Sequence, residues 1–156
     1  MTNVIQLDPE KRAIEASLRP AGLENSIGVI STAFLKDAGD PAWKDDPAMQ
    51  AWSSFMDKYY PDGDKADGNT MFGYAAAETM IEVLKQCGDD LSRENIMRQA
   101  EALKNFRSSL ALPGIMINTG PADFRPIEQM RLMQFDGNTW QPIGAVLEDA
   151  FLGKNN

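Results

Sequence analysis

"DPAMQAWSSFMDKYYPDGDKADGNTMFGYAAAETMIEVLKQCG", residues 46–88, decides how this chain folds. Asp46 ahead of Pro47 is a helix cap followed by a first helical position. Met49, Trp52, Met56 and Tyr59 then recur at helical spacing until Pro61 breaks the run. A second helix is predicted from an Asn69 cap to about Gln86. Phe72, Ala76, Met80 and Leu84 lie in line on it, and Gly88 sits where a C-terminal glycine belongs. Two amphipathic helices joined by an Asp- and Gly-rich loop therefore form the centre of the chain.

Working outward, Ser92 caps a third helix that is predicted to end near Lys104, with Leu91 and Ile96 as a hydrophobic staple. Upstream, "SIGVISTAFL" (26–35) is β-branched and apolar on both faces, as a strand covered on both sides would be. Between it and the first helix runs "KDAGDPAWKDDP", which has no periodicity. Residues 10–19 read as a short amphipathic helix through Ile14 and Leu18, stopped by Pro20. Downstream, "IMINTG" (115–120) is too short for a helix and is expected to be a short strand or extended segment. "QMRLMQF" and "TWQPIG" flank Asp136, Gly137 and Asn138 and read as a hairpin. A final short helix is predicted over "AVLEDAFL" (145–152). The fold class is α/β, helices on a small sheet plus a C-terminal hairpin. So few strands would leave sheet edges unpaired, as in a fragment.

A chain of 156 residues can bury a real core, and 43% hydrophobic against 24% charged residues places it among folded proteins. A net charge of -8 without a Lys/Arg run gives no footprint for nucleic acid or anionic lipid. No stretch is long and apolar enough to cross a bilayer, and the first twenty residues lack the apolar core of a secretory signal. There is no histidine, which removes Ser-His-Asp, Cys-His and His-zinc chemistry together. Cys87, the lone cysteine, reads as a small buried hydrophobe near a helix end.

Three constellations invite a functional reading. Asp62, Asp64 and Asp67 suggest a calcium loop, but the required ligand, glycine and glutamate positions hold Ala66, Asp67 and Gly73. A solvated turn is the better reading, and no metal site is predicted. Glu78 and Glu82 are four apart on one helix face, and with Asp45 and Asp46 they complete the candidates for a carboxylate pair. Nothing in the sequence desolvates any of them, so no enzyme is expected. Phe72 and Tyr74 follow a helix start whose exposed N–H groups suit an anionic group, with aromatic surface for an apolar one, although from the residues alone packing into the core is the better reading.

"RPAGLENSIGVISTAFLKDAGDPAWKDDPAMQAW", "FMDKYYPDGDKADGNTMFGYAAAETMIEVLKQCGDDLSRENIMRQAEALKNF" and "LPGIMINTGPADFRPIEQMRLMQFDGNTW" resemble the C-terminal part of solute-binding proteins of branched-chain amino acid ABC transporters. These are the Leu/Ile/Val-binding, type I periplasmic binding proteins, and the resemblance runs from about Leu18 to about Val146. It implies part of a two-lobed Venus-flytrap fold that closes on a ligand between lobes. "IGVISTAFL" and the run from "IMINTG" to "QMRLMQF" would then cross between lobes, and the helices from Pro47 to Lys104 would pack in the N-terminal lobe. "NTMFGYAAAETM" falls where the family lines its cleft, so Asn69, Phe72 and Tyr74 become the candidate ligand-binding residues. Relatives often carry Tyr where this chain has Phe72.

The implied division is a divergent segment over 1–17, a periplasmic-binding-protein-like region over 18–146 and a tail over 147–156. The implied partners are a small-molecule solute and an ABC transporter permease, with no cofactor. The alternative is a non-binding fragment that self-associates as a homo-oligomer through faces a missing lobe would cover. The family implies a periplasmic location, whereas the chain as written, with no export signal, would stay in the cytoplasm.

Overall fold

Asp136 accepts the backbone N–H groups of Asn138 and Thr139, each at 2.9 Å. These two bonds, Thr139 first, with a third from Gln141, hold its carboxyl below the usual carboxylate range. They close the turn of the expected hairpin between β2 (Gln129–Phe135) and β3 (Trp140–Glu148). The two strands pair antiparallel from Phe135↔Trp140 to Gln129↔Glu148, with a bulge between Arg131 and Leu132. A computed structural model describes Ile14 and residues 18–148 of the chain.

β1 (Ile30–Ala33) pairs antiparallel with the other side of β2, Ile30 opposite Gln134, giving the order β1-β2-β3. It is shorter than residues 26–35 and is an edge strand. Only Ser31 of the four residues is buried, so the strand is not covered on both sides as expected. Apolar residues on both faces describe composition, and position in the sheet decides burial. Residues 145–148 also depart from expectation, because Val146, Leu147 and Glu148 pair with Arg131, Met130 and Gln129. Ladder partners on β2 hold them extended, and the remainder of the predicted helix, 149–152, lies outside the described residues. So does most of the predicted helix over 10–19. Its described part continues through Pro20 in α1 (Arg19–Ala21) and ends at Gly22, whose φ of 87° favours glycine. Ile14 and Leu18 are both buried.

α2 (Pro47–Tyr59) begins as predicted, with the Asp46 carboxylate accepting Ala48 N and Met49 N at 3.0 Å each. Met49, Trp52 and Met56 are buried, whereas Tyr59 remains 63% exposed. α3 (Gly68–Cys87) is capped by Asp67, which accepts Asn69 N at 3.0 Å, so Asn69 is inside the helix and not its cap. Its buried residues are Met71, Ala75, Val83 and Cys87, while Phe72, Ala76, Met80 and Leu84 are exposed. α3 is apolar over so much of its circumference that spacing cannot select the inward face. Contacts with α2 and α4 select it, one residue earlier than the predicted stripe.

α4 (Arg93–Ala100) is capped by Ser92 as expected but stops short of Lys104. Thr119 Oγ1 takes over there, donating to Ala100 O at 2.6 Å and accepting Leu103 N at 3.0 Å. Leu91 stays 59% exposed, so the predicted staple does not shelter it.

Three apolar clusters hold the layers together. Met133, Phe135 and Trp140 of the sheet pack with Ile14, Leu18 and Ile115. Met49, Trp52, Met56 and Met71 join α2 to α3 around Leu110. Val83 and Cys87 join α3 to Leu103 and Ile117, with Ile96 of α4 packed alongside. The irregular segment 103–117 therefore feeds every cluster. It is stitched to the end of β1 by Lys36 N to Leu110 O (3.0 Å) and Leu112 N to Phe34 O (2.9 Å). "IMINTG" within it is extended, as expected, with one bridge from Ile117 to Phe106 and a second from Gly120 to Asp123.

Candidate functional site

Past the end of β1 the chain places Lys36 in a nearly closed setting, its side chain only 5% exposed. All three ammonium donors are used: two on the Asp46 carboxylate at 2.9 and 2.8 Å, and one on Ser109 O at 3.0 Å. Asp46 thus serves both the start of α2 and the end of β1. Partial burial works against its charge. Lys36 and the Met49 and Ala48 amides outweigh that and hold its carboxyl below the usual range.

Asp40 repeats the device one turn later. Its carboxylate caps the short 3-10 turn Pro41–Trp43 through Ala42 N at 2.8 Å, accepts Trp140 N at 2.8 Å, and accepts the Thr139 hydroxyl. The loop carrying Trp43 is thereby fastened to the hairpin carrying Trp140, and both indoles line one cavity of about 300 Å³. That is the lower end of the roughly 300–1,000 Å³ usual for small-ligand sites. The cavity floor is Leu35, Met71 and Met133. Asn69 and Phe72, at the start of α3, form its rim, and Phe72 meets Phe34 edge to face with ring centres 6.4 Å apart. Phe72 is 51% exposed to solvent, so the cavity is a cleft and not a closed chamber.

Asp37 is the second carboxylate of the lining, and unlike Asp40 it is only partly buried. Gly39 N at 2.8 Å and Ile14 N at 2.9 Å reach it, and the Trp140 indole N–H reaches it at 3.3 Å. Burial raises its pKa to about 6. The three hydrogen bonds oppose the rise and the neighbouring Asp40 charge adds to it. Among the described residues no cation pairs with it.

Of the three sequence candidates, Asn69 and Phe72 line this cavity and Tyr74 does not. Two residues on, Tyr74 faces α2, where its ring lies 5.3 Å from that of Phe55 beside the Met49–Trp52–Met56 cluster. The helix start is also not open to an anionic group in the expected way, because Asp67 occupies it. Trp43, Asp37, Met133 and Trp140 were missed. They come from an aperiodic loop and a hairpin, and the only sequence signal was a tryptophan between two prolines in an otherwise Asp-rich loop.

The other candidates have structural partners. Glu78 accepts the Ser108 hydroxyl at 2.7 Å, Ser109 N at 2.9 Å and the Ser109 hydroxyl. Glu82 accepts Gln86 Nε2 at 3.0 Å, so the two glutamates do not work as a pair. Asp45 is exposed, beside Lys44. In the acidic loop Asp64 turns the chain onto Ala66 N at 2.8 Å, and Asp67 caps α3. Lys65 in the same loop reaches back to Asp57 of α2 at 2.6 Å. Among the described residues no group of three metal-ligating side chains converges, and no helix is long and apolar enough to cross a membrane. Cys87 is buried and unpaired.

Helices α2, α3 and α4 on a small antiparallel sheet, with a solvent-open cleft between sheet and helix start, form part of the type I periplasmic-binding-protein fold. The chain belongs to the periplasmic binding protein family, whose model matches residues 12–139. Two solved structures are similar. One is a possible leucine/isoleucine/valine-binding protein from Rhodopirellula baltica SH 1, with 18% identity and a TM-score of 0.57 over 85% of this chain and 33% of that one. The other is a branched chain amino acid ABC transporter from Thermus thermophilus with bound valine, with 15% identity and a TM-score of 0.62 over 81% of this chain and 35% of that one. This chain thus spans about a third of the length of either neighbour. No curated protein matches it.

Proposed function

We propose that this chain supplies one wall of the solute site of a periplasmic binding component, serving an ABC-type transporter of branched-chain amino acids or related small organic solutes. The observation that carries the reading is the cleft of about 300 Å³ in which Asn69 and Phe72 meet Trp43 and Trp140. The family match and the two neighbours support it, one of which holds valine. Phe72 and the two indoles would cover the apolar body of the solute, Asn69 would offer its side-chain amide at the rim, and Tyr74 would support the helix from behind. The reading involves no catalysis and no cofactor, with a permease as partner and the periplasm as its place of work.

Amide spectra of the ¹⁵N-labelled chain titrated with valine or leucine test this. The expected result is saturable shifts at residues 31–37 and 69–72 at millimolar solute, since a site missing its opposite wall recovers little of the cost of association. Shifts confined to other residues would overturn the reading.

A second reading rests on a separate observation. Phe72, Met80, Ile81 and Leu84 leave one face of α3 apolar and exposed, with Phe55 and Tyr59 exposed on α2. Self-association of two copies through that face is the corresponding proposal. Sedimentation tests it, and a monomer at high concentration would reject it.

A further inference from the structure

The charges around the cleft are unequal in what they leave available. Among the described residues Lys36 is the one cation lining the cleft, and its three donors are already spent on Asp46 and Ser109. The first amides of α3 face Asp67, which accepts Asn69 N at 3.0 Å. Asp40 is engaged by Ala42 N, Trp140 N and the Thr139 hydroxyl. Among the described residues a carboxylate entering the cleft would therefore find no free cation, would meet Asp67 at the helix start, and would bring its charge toward the buried Asp40 and the partly buried Asp37. Asp37 is different. A carboxylate has about four acceptor positions, three N–H groups fill three of them, and no described cation balances its charge. The same cavity is lined by the rings of Phe34, Phe72 and Trp140, and aromatic faces attract cations.

We propose that the cleft selects apolar solutes bearing a positively charged head group, an alkyl amine or compact organic cation, over carboxylates of the same shape, with Asp37 as the counter-charge. This rests on the reading of the cleft as a solute site. A zwitterionic amino acid would be served here at its ammonium and its side chain, and its carboxylate would have to be met by residues outside this cleft.

The test is a titration of the 156-residue chain with 3-methylbutylamine, 3-methyl-1-butanol and 3-methylbutanoate at pH 8 and fixed ionic strength. Intrinsic fluorescence reports occupancy, because Trp43 and Trp140 line the cleft while Trp52 is 3% exposed elsewhere. One charge contact in a partly dry cleft should give the amine an advantage of about tenfold or more over the acid, with the alcohol between them. Asp37→Asn should narrow the amine-to-acid ratio to about twofold. Equal affinities, or an acid that binds best, would overturn the charge preference and leave the solute-site reading standing. No response to any of the three would remove both. Circular dichroism shows whether Asp37→Asn remains folded, and if it does not, the three probes on the unaltered chain still decide.

Discussion

Replacing Asp46 with asparagine is expected to cost more stability than replacing Lys36 with methionine, although Asp46 is the more exposed partner of the pair. Burial of the group left behind sets the order. After Asp46→Asn, an ammonium whose side chain is 5% exposed keeps its charge without a counter-ion. Removing one partner of a buried pair costs roughly 3–5 kcal/mol, and about 3 applies here because asparagine retains the cap acceptor and Ser109 O still accepts from Lys36. After Lys36→Met, the Asp46 side chain is 23% exposed, can hydrate, and keeps two helix amides. About 1.5–2 kcal/mol is expected there. The double variant should resemble Lys36→Met alone, a coupling of about 3 kcal/mol. Urea unfolding followed by far-UV circular dichroism measures all four chains. An Asp46→Asn that costs no more than Lys36→Met, or losses that simply add, would refute the reasoning. Because the Asp46 carboxyl is held below its usual range, its stabilisation is complete above about pH 4 and is lost as pH falls below 3.8.

Asp37 titrates in the opposite sense. Its pKa, raised from 3.8 to about 6, means that the folded chain takes up the proton first, so stability falls as pH rises from 4 to 6 and the full cost is present above 6. The unfolding midpoint should be higher at pH 5 than at pH 7.5, by an amount equivalent to about 1.4 kcal/mol, and Asp37→Asn should abolish the difference. An unchanged difference in that variant would assign the effect elsewhere. Leu110→Ala, at a residue with no exposed surface inside the α2–α3 cluster, should cost about 2–5 kcal/mol by the same urea assay. A loss below 1 kcal/mol would show the segment to be an ordinary surface loop. Cys87 should react with a thiol reagent only after urea unfolding, and rapid labelling of the folded chain would contradict its burial.

The elements closed by local chemistry were legible in the sequence. Asp46-Pro47 and Ser92 start helices where predicted, Gly88 follows α3, and the Asp136 turn closes the predicted hairpin. What depended on neighbours was not legible. Asp67 rather than Asn69 caps α3, and Met71 rather than Phe72 faces inward, because α3 offers two apolar faces and only its packing chooses between them. Among the described residues the aperiodic run around Leu110, Leu112 and Ile115 is the best-buried stretch, yet periodicity carries no trace of it. The same limit applied to the cleft. Phe72 and Asn69 stood at a recognisable helix start, whereas Asp37, Trp43 and Trp140 meet only because Asp40 ties their loops together.

In the proposed site these residues form one side, and affinity needs another. Isothermal titration calorimetry of the 156-residue chain with leucine tests this most directly. No measurable heat of binding is predicted at micromolar concentrations, with affinity no tighter than about millimolar, near -4 kcal/mol. A micromolar or tighter dissociation constant would contradict it, since this chain would then enclose its solute unaided.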